Sequence, residues 1–112
     1  MSRRDPGLLL EDIADAIEKI ERYIDGLTVD TFKTDSKTVD AVVRNLEIIG
    51  EAVSKIPPTF KKTYGEVPWQ QIAGLRNRIV HEYFGLDLEM IWYIITSDLP
   101  ELKERIREIP LQ

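Results

Sequence analysis

Residues 36–56 read SKTVDAVVRNLEIIGEAVSKI, and the spacing of their apolar side chains decides the class of fold. Val39, Val42, Val43, Leu46, Ile49, Gly50, Val53 and Ile56 fall on one side of an α-helix, because apolar residues recur every third or fourth position. The alternation expected of a strand is absent here and elsewhere in the chain. Gly50 on this stripe suits close approach of a second helix, at about 1 kcal/mol in helix propensity. Pro57-Pro58 ends the segment. Ile48 and Ala52 lie opposite the main stripe and suggest a second contact surface, hence a partner chain.

The same period extends in both directions. Upstream, residues 6–25 form a helix with Asp5 as N-cap, Pro6 at the first helical position and Gly26 at the end. Its buried stripe is Leu9, Ile13, Ala16, Ile17, Ile20, Ile24 and Leu27; Glu11, Asp15 and Glu18 beside Lys19 and Arg22 make the solvated face. Thr28 to Asp35 reads as a polar connection. Downstream, Thr59 to Tyr64 suits a short helical turn, and Pro68 opens a third long helix from Trp69 to Tyr83 or Phe84, closed by Gly85. Asp87 caps a fourth, strongly apolar helix with Leu88, Met90, Ile91, Trp92, Ile94 and Ile95. Asp98 and Glu101 have the spacing of a capping box. Pro100 therefore either kinks the fourth helix or starts a fifth, ending near Ile109. The expectation is an all-α, four- to five-helix up-and-down bundle, with residues 1–112 as a single domain.

Composition narrows the function. Hydrophobic residues at 43% and charged residues at 31% suit an ordinary globular domain. With no cysteine, disulfides and thiolate-bound metals drop out, and a reducing cytoplasmic setting is the simplest expectation. The leading Met-Ser-Arg-Arg-Asp-Pro-Gly precedes only three leucines, too short for a signal-peptide core, and no run approaches the roughly 20 apolar residues of a membrane span. A net charge of −5 opposes general binding to nucleic acid, which needs Lys and Arg on phosphates. Any such site must be a local positive pocket.

The third helix carries the unusual chemistry. At about 100° per residue, Trp69, Ile72, Ala73, Ile79 and Val80 all fall within about 60° of Arg76. A guanidinium is thus centred on an apolar stripe, which is costly unless it is paired or meets a ligand. Tyr83 lies on the same line about two turns away, Asn77 and His81 flank it, and Arg78 points to the other side. His81 is the chain's one histidine. A structural reading stands beside the chemical one: Arg76 pairs with Glu47 or Glu51 of the second helix, and His81 and Tyr83 are satisfied core residues.

The string Leu75-Arg76-Asn77-Arg78-Ile79-Val80-His81-Glu82-Tyr83-Phe84 resembles the signature of the HepT-like branch of the HEPN superfamily: Arg, a polar residue, three more, His, one residue, Tyr. The resemblance continues through Arg44-Asn45-Leu46-Glu47-Ile48-Ile49-Gly50-Glu51-Ala52 and Asp98-Leu99-Pro100-Glu101-Leu102, and so spans most of the chain.

That resemblance implies a metal-independent RNA endonuclease, the toxin of a toxin–antitoxin pair, working as a homodimer whose two motifs face a shared cleft. Arg76 would grip the scissile phosphate, His81 would transfer protons, Asn77 would orient His81 or a phosphate oxygen, and Arg78 would add positive charge against the RNA. A second copy of His81 would supply the second proton-transfer group that strand cleavage requires. No cofactor is implied and no metal is expected, since one His and no Cys cannot form a transition-metal site within one chain; magnesium held by carboxylates stays open. Lys55, Lys61 and Lys62 are further cations for the patch. The implied partners are an RNA, either transfer or messenger, and a minimal nucleotidyltransferase antitoxin that transfers AMP to Tyr83. The alternative is a non-catalytic subunit that offers such a nucleotidyltransferase a substrate or nucleotide pocket.

Overall fold

The computed structural model describes residues 5–74 and 87–110. Every regular element among them is helical, as the periodicity predicts. Helix α1 spans Pro6–Ile24. The Asp5 carboxylate accepts from the Gly7 amide at 2.8 Å, Pro6 fills a position whose amide needs no partner, and Gly26 turns the chain out at a φ of 81°. Leu9, Leu10, Ile13, Ala16, Ile17 and Ile20 are buried, whereas Ile24 and Leu27 are half-covered. Leu10 widens the expected stripe because α1 is covered on more than one side.

Helix α2, Val29–Lys33, replaces the expected polar connection. Thr28 and Thr31 cap one another reciprocally, and Phe32, fully buried, meets the Trp92 ring at a centroid distance of 5.2 Å. One aromatic residue in an otherwise polar stretch is too little for a periodic signal, yet it is enough to pin a single turn.

Helix α3 spans Ser36–Lys55. Asp35 caps it, accepting from the Thr38 hydroxyl at 2.7 Å and the Thr38 amide at 3.1 Å. These bonds hold its carboxyl below the ordinary carboxylate value, the hydroxyl contributing most. Val39, Val42, Val43, Leu46, Ile49, Val53 and Ile56 are all buried. Full burial of each Leu or Ile contributes about 1.5–3 kcal/mol, so α1 and α3 together form the main slab of the core. They run antiparallel: Leu9 and Asp12 near the start of α1 share a surface hollow with Ile48, Glu51, Ala52 and Lys55 near the end of α3. That packing corrects the reading of Ile48 and Ala52 as a free contact surface. Ala52 is buried and Ile48 is half-covered by the chain itself. Asn45 is buried, with its amide donating to the Ala41 carbonyl at 2.9 Å.

Ile56 adopts an extended conformation, as a residue before proline prefers. Helix α4 then spans Pro58–Thr63, close to the expected turn. A helical stretch at residues 69–74, α5, begins where Pro68 predicts. The next described element is α6, Leu88–Tyr93, capped by Asp87, which accepts from the Met90 amide at 3.1 Å.

The chain does not break before Pro100. Ile94–Asp98 is a π-helical turn in which the Leu99 amide reaches the Ile94 carbonyl, and α7 follows directly as Leu99–Arg107. Pro100 has no amide to donate and its ring needs room against the preceding turn; widening that turn satisfies both demands. The fourth helix therefore runs on through a π turn, and the expected capping box is absent. Asp98 is itself helical and makes no side-chain cap, because no helix starts there.

Lys103 ties α7 to α1 through Glu21 at 2.9 Å, and Leu102, Ile106 and Ile109 close the core. Among the described residues, no helix is long and apolar enough to cross a membrane.

Candidate functional site

The approach to the motif is built by an aromatic knot. Phe60 stacks obliquely on Tyr64 at 4.8 Å and lies 6.5 Å from Trp69. The Trp69 indole donates to the Tyr64 carbonyl at 3.0 Å, a bond that spares a buried N–H the cost of having no partner. Two backbone bonds set the helix start: Trp69 amide to Val67 carbonyl at 2.8 Å, and Ile72 amide to Pro68 carbonyl at 3.1 Å. Trp69 and Ile72 are thereby buried, Ala73 is half-covered, and Gln70 and Gln71 face outward. The inward side of α5 is the one the sequence spacing indicates.

Arg76, Asn77, Arg78, His81 and Tyr83 lie outside the described residues, as does the closing Gly85. The other candidate cations are placed, and they differ. Lys55 meets Glu51 at 3.4 Å, so part of its charge is already offset and Glu51 is engaged. Lys61 and Lys62 meet no carboxylate among the described residues. They border a groove between the end of α4 and the start of α5, lined also by Pro58, Val67, Pro68, Trp69, Gln70 and Gln71. Gln70 and Gln71 were not among the sequence candidates. The adjacent pairs Lys61-Lys62 and Gln70-Gln71 were visible, but nothing in the periodicity relates them across the intervening turn. No grouping of His, Cys, Asp and Glu among the described residues could hold a metal ion.

The family described as "Ribonuclease HepT-like" matches residues 13–109. The chain is 43% identical over 100 residues to "Probable ribonuclease HepT" of Thermococcus cleftensis, covering 89% of this chain and 91% of that one. It is 39% identical over 106 residues to "Putative RNase TTE0752" of Caldanaerobacter subterraneus subsp. tengcongensis, covering 95% of each. A third relative, "Gamma-glutamylcyclotransferase and putative RNase MJ0434" of Methanocaldococcus jannaschii, is 40% identical over 107 residues; the match covers 96% of this chain but 48% of that longer protein. No solved structure matches the chain. The family match runs from the middle of α1 to just beyond α7 and includes the Arg76–Tyr83 string, so this chain belongs to the HepT-like ribonuclease family.

Proposed function

We propose that this chain, as one domain, is a metal-independent RNA endonuclease acting in the cytoplasm. The observation that carries the reading is the Arg76-Asn77-x3-His81-x-Tyr83 string inside a family match that covers residues 13–109. The names of the relatives, which include ribonuclease and RNase, support it.

RNA carries its own nucleophile. Attack by a 2′-hydroxyl on the adjacent phosphate needs a base, an acid for the departing 5′-oxygen, and positive charge on the transition state. In this reading the planar fork of Arg76 binds the phosphate oxygens in a way a lysine could not. Imidazole, with an ordinary pKa of about 6.5, serves as base or acid near neutrality. Each chain has one histidine, so a homodimer supplies the second proton carrier and forms a composite site. Asn77 orients His81 or a phosphate oxygen, and Arg78 adds charge along the RNA.

The biological setting that fits is a toxin restrained by a small nucleotidyltransferase. Transfer of AMP from ATP to the Tyr83 hydroxyl, with release of pyrophosphate, would set a negative phosphodiester near the phosphate-binding Arg76. Repulsion and bulk would then exclude RNA.

Product chemistry tests the reaction. The purified protein should cut RNA to leave a 2′,3′-cyclic phosphate, and a single 2′-deoxy substitution at the cut position should abolish that cut. Equal cutting of the deoxy strand would rule out the 2′-hydroxyl as nucleophile and with it this mechanism.

A further inference from the structure

We propose that the groove between α4 and α5 is a second RNA contact, which holds the phosphate backbone of the strand away from the scissile bond. The inference rests on the nuclease reading above and assigns a role to residues outside the motif.

Three features of the groove agree. Its floor is apolar, made by the buried Val67 and Trp69. Its lining also includes the ammonium groups of Lys61 and Lys62 and the carboxamides of Gln70 and Gln71. Ammonium and amide N–H groups are donors that phosphate and sugar oxygens accept from. The groove is shallow and open to solvent, which suits an extended strand laid along it better than a small molecule that a closed cleft would bury.

Electrostatics choose the occupant. The chain as a whole is acidic, at −5, and five described cations are held by carboxylates: Lys33, Lys55, Lys103, Arg105 and Arg107 reach Glu89, Glu51, Glu21, Glu66 and Glu104. Glu66 is the carboxylate nearest in sequence to the groove, and its partner is Arg105 at 3.6 Å. Lys61 and Lys62 meet no carboxylate among the described residues and line the groove, and Gln70 and Gln71 stand five or six residues before Arg76. A polyanion is the complementary ligand. Single-stranded RNA is the polyanion that the nuclease must bind.

The test uses a 2′-O-methyl RNA oligonucleotide, which lacks a free 2′-hydroxyl and binds without being cut. Its affinity is measured by fluorescence anisotropy over a range of salt concentrations. Three full-length proteins are compared: wild type, K61Q/K62Q, and K19Q/K37Q, which removes the same charge at two exposed sites elsewhere. Loss of two phosphate contacts should flatten the slope of log affinity against log salt by about 1.4, at about 0.7 per contact on a single strand. K61Q/K62Q should show that change with several-fold weaker binding, and K19Q/K37Q should keep the wild-type slope. An unchanged slope in K61Q/K62Q, an equal change in both variants, or no binding by wild type would each overturn the inference. Binding with the expected slopes but no cleavage of unmodified RNA would retain the groove and sink the nuclease reading. In a cleavage assay K61Q/K62Q should raise KM and leave kcat unchanged.

Discussion

Helices α4 and α7 both end in basic residues, and they use them in opposite ways. On α7, Lys103 reaches Glu21 on α1, Arg105 reaches Glu66 and Glu101, and Arg107 reaches Glu104. On α4, Lys61 and Lys62 reach no carboxylate among the described residues. In the first set Lys103 and Arg105 link α7 to Glu21 and Glu66, while the pairs with Glu101 and Glu104 stay within α7; the second borders a groove beside the helix that leads into the motif. On an acidic chain, a cation count says little about where an anion binds. The informative cations are those whose charge is not already answered.

If that division is right, changes on the α7 side should act on stability and leave RNA contact alone. The largest effect belongs to Leu102, 2% exposed in the core. Leu102→Ala should destabilise the protein by about 2–5 kcal/mol in denaturant titration, with RNA affinity per folded molecule unchanged. A loss below about 1 kcal/mol would mean that α7 contributes little to the core. A smaller effect is expected at Lys103, whose side chain is 24% exposed against 39% for Glu21. Lys103→Gln should cost about 0.2–1 kcal/mol, since pairs open to solvent contribute little. It should leave the salt dependence of RNA binding where it was. A flatter salt slope in this variant would erase the distinction between the two ends.

The sequence revealed the long helices because each carries its own instruction. Seven apolar side chains at helical spacing, with Asp5, Pro6 and Gly26 as boundary residues, specify α1 without reference to the rest of the chain. Helix α3 is equally self-contained. What escaped depends on contacts between distant segments. Phe32 anchors α2 against the distant Trp92, which the local pattern does not announce. Leu10 is buried because the rest of the bundle covers a second side of α1. At Asp98 and Glu101 the local pattern pointed to a new helix, but a π turn carried the chain through, so the cap had no orphan amides to satisfy.

The candidate site divides in the same way. The inward phase of α5 at Trp69 and Ile72 was legible from spacing alone. The groove was not, because it forms where the turn at residues 64–68 folds α5 back beside α4. The difference between Lys55 and Lys61 or Lys62 likewise required a neighbour's position, the carboxylate of Glu51 at 3.4 Å.

The central claim is that the arginine–histidine motif cuts RNA, and the rate of cleavage of one defined RNA by wild type and by His81→Ala measures it most directly. With chelator present and thermal unfolding of the two proteins matched, the variant should be slower by about 10²–10⁴-fold, the usual contribution of a positioned proton-transfer group. Equal rates would contradict the account.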